Sequence, residues 1–170
     1  FCVSLFQKKS SPKPCLNWWV TNMIEQKIQV FIDSVSHYFS QLNNGDIVIE
    51  PPYLNENHHP IISDYTGVIG ISGTDKGLVY FTAPKPLLQQ ILYCMKEGDD
   101  SDANLIDLVG EVANSISGNA RKDFGSGFNI SVPFIFKGQA QTVLFPKDKH
   151  SLVIPLKWQD YHAGIVVYLQ

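Results

Sequence analysis

Apolar and polar positions follow two rhythms along this chain, and the switches between them predict its elements. From Met23 onward, apolar residues return at Ile24, Ile28, Phe31, Ile32, Val35 and Phe39, the spacing of a helix. "NNG" at 43–45 stops it, because Asn and Gly accept the left-handed turn that follows a helix end. "DIVIEPPYL" reads as a short strand ended by Pro51 and Pro52, residues with no N–H to give a sheet. "YTGVIGISGTDKGLVYFTAP" reads as a hairpin, with Val68–Ile71 and Leu78–Phe81 flanking the turn "SGTDKG". Its glycines match neither GxGxxG nor GxxxxGK[ST] and no helix follows directly, so bulges and a tight turn explain them better than a nucleotide loop.

The helical rhythm returns in "PKPLLQQILYCMKEG", with Pro86 in the first turn and Gly98 past the end. "DDSDAN" then supplies caps and negative charge for a third helix over about 103–123, closed by Gly125 and Gly127. The rest is strand-rich: "FNISVPFIFKG", "QTVLFP", "HSLVIPLKW" and "AGIVVYLQ". Residues 138–170 read as an antiparallel meander, with Asp160, Tyr161 and His162 in a hairpin turn. The sum is a single α/β (α+β) domain, a mainly antiparallel sheet with helices packed on one side. Met23 is read as the natural start of that domain, spanning 23–170, with residues 1–22 an N-terminal extension.

Composition narrows the class. The chain has 170 residues, a formal net charge of −3 and 44% apolar residues, enough for one core without staples. An acidic balance without a basic stripe argues against nucleic-acid binding. No run of about 18 apolar residues offers a membrane span. Cys2, Cys15 and Cys94 are odd in number and far apart, which fits neither a disulfide framework nor zinc and suggests a reducing, cytoplasmic setting. His58 and His59 are adjacent in a polar loop and point to different sides, so no metal site is expected there.

The third helix carries the candidate chemistry. At about 100° per residue, Leu105, Leu108, Val109, Val112, Ile116 and Ala120 form one stripe, which buries against the sheet. Asp107, Glu111, Asn114, Gly118 and Arg121 fall on the opposite side. Glu111 and Asn114 are i, i+3 neighbours and stand side by side. Gly118, a poor helix former, leaves a notch one turn beyond, with Gly110 and Ser117 expected along its border. An isolated Glu-x-x-Asn is ordinary on a solvated face; Asn and Gly together on it favour a docking surface.

The whole string "DLVGEVANSISGNARKDF" is similar to the signature helix of the CheC/CheX family of chemotaxis phosphatases, which pairs ExxN with a GNA segment. Here these are Glu111, Asn114 and Gly118-Asn119-Ala120. The hairpin, the preceding helix and the closing strands resemble the family's order over residues 23–170. Glu111 alone among the glutamates at 25, 50, 56, 97 and 111 has Asn three residues on, which resembles the single-motif CheX type rather than the two-motif CheC type. The resemblance implies a CheC/CheX-like fold, a homodimer, and removal of phosphate from the phospho-aspartate of a CheY-like response-regulator receiver domain. It implies that Asn114 orients the attacking water and that Glu111 pairs with a receiver lysine. No metal or cofactor of its own is expected, the Mg²⁺ belonging to the receiver. Gly118, Ser115 and Asp107 are read as partner-binding positions around this pair. A non-catalytic receiver-binding adaptor and a flagellar-switch-type interaction domain are the alternatives.

Overall fold

A computed structural model describes residues 16–42, 47–56, 60–138 and 150–170. Among these, three helices pack on an antiparallel sheet. The helices are α1 (Leu16–Ser40), α2 (Lys85–Cys94) and α3 (Asp102–Phe124). The strands are β1 (Val48–Ile49), β2 (Tyr53–Glu56), β3 (Tyr65–Gly73), β4 (Gly77–Ala83), β5 (Phe128–Ile130), β6 (Phe134–Lys137), β7 (His150–Trp158) and β8 (Tyr161–Leu169). The order is β1-β7-β8-β4-β3-β5, with β2 also on β7 and β6 also on β3.

Side-chain alternation sorts the sheet into two faces. Ile69, Val79, Phe81, Leu152, Ile154, Ile165 and Val167 point into the main core, which they share with Phe31 and Val35 of α1, Leu88 and Ile91 of α2, and Leu105, Val109, Val112 and Ile116 of α3. Fully burying such a side chain is worth about 1.5–3 kcal/mol, so this shared core holds the helices to the sheet. Val68, Tyr80, Val166 and Val153 form one row on the other face, set by the pairs Val68↔Tyr80, Tyr80↔Val166 and Val153↔Val166. They make a smaller cluster with Ile61. Tyr80 donates its hydroxyl to the Ile61 carbonyl at 3.0 Å, which ties the loop before β3 across that face. On the helical side, Lys27 of α1 pairs with the buried Asp75 in the β3–β4 turn.

Five details differ from expectation. Helix α1 begins at Leu16 rather than Met23. The strand before Pro51 resumes after Pro52, and both pieces, β1 and β2, pair with β7. "FNISVPFIFKG" is two strands, not one: Ile130 pairs with Ile71 and Phe134 with Val68. Four steps therefore oppose three, a bulge centred on Ser131–Pro133, where Ser131 both donates its N–H to the Gly70 carbonyl and accepts the Gly70 N–H on its hydroxyl. Finally, α2 ends at Cys94 and the left-handed residue beyond it is Lys96, φ 62°, not Gly98. Tyr161 and His162 already belong to β8, so the last turn is Gln159–Asp160. The strand expected at 141–146 and the pair His58–His59 lie outside the described residues.

Candidate functional site

Helix α3 lies over β3, β4, β5 and β6. Its start is well determined. The Ser101 hydroxyl caps it by accepting the Asn104 N–H at 3.4 Å, and the Asn104 amide donates to the Asp99 carbonyl at 3.0 Å. Asp102, in the first turn, accepts from Lys137 of β6 at 2.7 and 2.8 Å and from the Tyr65 hydroxyl of β3 at 2.5 Å. The Lys137 ammonium also stands 5.3 Å from the Tyr65 ring centroid. Hydrogen bonds from Lys137 and then Tyr65 hold the Asp102 carboxyl below the usual carboxylate range. The hydrogen bond to Asp102 holds Lys137 above the usual ammonium range. At the other end Gly125, φ 86°, closes the helix with its N–H on the Arg121 carbonyl at 3.0 Å.

The middle of the helix sits on a glycine seat. A Cβ at Gly67 would stand 2.5 Å from the Val109 carbonyl oxygen and 3.2 Å from Gly110 Cα. The backbones of β3 and α3 thus approach more closely than any side chain allows. Gly110 is buried against Ile135 and Pro133. Ser117 is buried too, its hydroxyl without a hydrogen-bond partner. Both were expected beside the polar face; the helix phase instead turns them inward.

That phase leaves Asp107, Glu111, Asn114 and Arg121 exposed, with Ser115 and Gly118 half-buried. The predicted site residues therefore share one face, Ser115 at its margin. Asp107, Glu111 and Asn114 have no side-chain hydrogen bond or ion pair among the described residues. Tyr38 of α1, which sequence reasoning passed over, flanks the site: burial pushes its hydroxyl up to about 12, and the Glu111 carboxylate adds to the shift. Neighbouring His37 is exposed and bonded to Gln41 at 3.0 Å.

Two hollows bracket Asn114. The first, about 200 Å³, is lined by Leu92, Met95 and Leu108 with Glu97, Asn104, Asp107 and Glu111. The second, about 450 Å³ and open, is lined by Gly118, Arg121, Lys122, Gly125, Ser126 and Ile130. A Cβ at Gly118 would meet nothing within 4 Å, so the glycine opens onto solvent. No His, Cys, Asp or Glu cluster suited to a metal ion occurs among the described residues, and no described helix is long and apolar enough to cross a membrane.

An antiparallel sheet packed against three helices in this order is a fold already seen in chemotaxis proteins. The CheC-like superfamily protein of Shewanella sp. PV-4 aligns at 26% identity and TM-score 0.71, over 85% of this chain and 97% of its own. CheX of Desulfovibrio desulfuricans aligns at 24% and 0.71, over 85% and 99%. The CheX–CheY–BeF3–Mg²⁺ complex of Borrelia burgdorferi contributes a chain that aligns at 20% and 0.69, over 85% and 97%. No curated protein matches by sequence. The family model "Chemotaxis phosphatase CheX" matches residues 65–157, more than half of the chain, and the chain belongs to that family.

Proposed function

We propose that this protein hydrolyses the phospho-aspartate of a CheY-like receiver domain, with Asn114 orienting water and Glu111 anchoring the partner. The observation that carries the reading is the pair itself. Glu111 and Asn114 stand side by side, exposed and without a side-chain hydrogen bond or ion pair among the described residues, on a helix whose ends and underside are tightly held. A polar face in that state is prepared for another molecule. Family membership supplies the chemistry, and the Borrelia relative was solved together with CheY.

Phospho-aspartate is an acyl phosphate. Water attacks phosphorus, the P–O bond to the carboxyl breaks, and aspartate and inorganic phosphate result. Little covalent work remains for a protein beyond placing the water in line. The Asn114 amide both accepts and donates hydrogen bonds and adds no charge beside the phosphoryl oxygens. Glu111, four and a half ångströms or so further back along the axis, would pair with a cationic side chain of the receiver and set the depth of Asn114. Mg²⁺ in the receiver would neutralise phosphoryl charge; this chain would contribute no metal ligand. The reaction would take place in the cytoplasm, where such receivers work.

The test is phosphate release from a phosphorylated receiver. Asn114→Ala is expected to lower the accelerated rate by about 10²-fold or more, since misplacing a reacting group costs that much. Glu111→Ala is expected to raise KM about tenfold, as loss of a charge pair desolvated on docking. Acceleration retained in Asn114→Ala would refute the assigned role. A wild type that binds the receiver without accelerating release would be an adaptor.

We further propose that two copies associate. Val132 and Phe134, 84% and 68% exposed near the β5–β6 bulge, supply an apolar surface suited to a partner. Light scattering at micromolar concentration should return twice the chain mass.

A further inference from the structure

Resting on the phosphatase reading, we propose that Arg121 is a second docking residue, which grips a carboxylate on the receiver's surface outside its phosphorylated pocket. Arg121 is the only arginine in the chain. It lies on the same stripe as Asp107, Glu111, Asn114 and Gly118 and is exposed. Its guanidinium has no hydrogen bond or ion pair among the described residues. The neighbouring cation is engaged within the chain: Lys122 donates to the Asn119 amide oxygen at 3.2 Å.

The surroundings suit entry of a partner group. Arg121 opens on the hollow of about 450 Å³ past Gly118. Gly118 and Gly125, at its two ends, would place no Cβ against anything within 4 Å. An incoming backbone can therefore approach the helix closely at Gly118, between Asn114 and the guanidinium. A planar fork with five donors matches a carboxylate in two parallel hydrogen bonds, which an ammonium cannot do.

The occupant is a carboxylate rather than the phosphoryl group because of spacing. Seven residues separate Asn114 from Arg121, two helical turns and about 10 Å along the axis. With Asn114 at the phosphoryl centre, Arg121 lies over the receiver's neighbouring surface. The stripe is then bipolar, with Asp107 and Glu111 at one end and Arg121 at the other. Such a stripe docks in one direction only, because the reversed pose juxtaposes like charges.

The experiment compares wild type, Arg121→Gln and Arg121→Lys on a CheY-type receiver, measuring steady-state phosphate release, binding of the unphosphorylated receiver, and the melting temperature. Arg121→Gln is expected to raise KM about tenfold with kcat retained, and to weaken binding of the unphosphorylated receiver by the same factor. Arg121→Lys should recover only part, since it keeps charge and loses the fork. An effect confined to the phosphorylated receiver would assign Arg121 to the phosphoryl group and overturn the inference. So would a melting shift with unchanged KM, which marks a cation serving only the helix C-terminus. If those variants behave as wild type while Asn114→Ala is inactive, the inference fails and the phosphatase reading stands. If wild type accelerates release from no receiver, both fall.

Discussion

Gly110 and Gly118 lie two turns apart on one helix and do opposite things. Gly110 is pressed against Ile135 and Pro133 above the Gly67 seat; Gly118 faces open space. Polar residues divide in the same way. Asp102 and Asn104 at the helix start are engaged by Lys137, Tyr65 and Asp99, whereas Asp107, Glu111 and Asn114 further along have no side-chain hydrogen bond or ion pair among the described residues. The contrast separates groups that hold the helix from groups left open to solvent. One set of groups fixes where the helix lies, and the other is kept free because the helix is already fixed.

Substitutions at the two kinds of position should therefore part company. The largest effect belongs to the seat. Gly67→Val drives a side chain into the Val109 carbonyl and should cost about 3 kcal/mol, at the upper end for overpacking, read as a lower denaturant midpoint. Activity should fall along with stability there. Gly118→Leu comes next and should separate the two: stability not lowered, since a mid-helix glycine is relieved in open space, but KM for the phosphorylated receiver raised severalfold. Activity at wild-type level in folded Gly118→Leu would mean that the open face is not the docking face.

Gly118→Ala is smaller and opposite in sign for stability. It relieves a mid-helix glycine and should stabilise by about 0.5–1 kcal/mol, measurable by thermal unfolding. The smallest effect is Asp102→Asn, because the site is exposed and surface pairs contribute little. Its sign still follows from the shift. Asp102 titrates below its ordinary value of 3.8 in the folded chain, so its contribution is present above that pH and is lost as pH falls through the lowered value. The deficit of Asp102→Asn should be visible at neutral pH and vanish in strong acid. A deficit that persists unchanged at low pH would place it elsewhere than in the carboxylate.

The helical period made α3 legible almost to the residue: 103–123 expected, Asp102–Phe124 observed. Periodicity suffices there because a long amphipathic stripe and strong caps agree. It also set Glu111 and Asn114 on the outer face. What it misjudged was the edge of that face. A wheel assigns angles but not the position of the neighbouring layer, and β6, through Ile135, covers Gly110. The glycines of β3 were read as turn and bulge makers. Gly67 is there instead because α3 comes too close for a side chain, a tertiary cause with no local trace. Pro51–Pro52 reads as the end of a strand and "FNISVPFIFKG" as one strand across Pro133; both sets of prolines interrupt pairing at sheet margins without ending it, since each strand resumes on the same neighbour. Arg121 was placed on the stripe, but nothing in the sequence reveals the hollow beside it.

Those interrupted margins have a consequence for life at high concentration. A sheet margin is a template on which stray strands polymerise, and long unbroken margins are the hazardous ones. Among the described residues, one side of this sheet ends in pieces of two and four residues, β1 and β2, and the other in pieces of three and four, β5 and β6. No piece is long enough to nucleate a stable intermolecular ladder, and Pro133 and the Pro51–Pro52 pair keep the pieces from fusing. Among the described residues, therefore, neither margin offers a long continuous template to a stray strand.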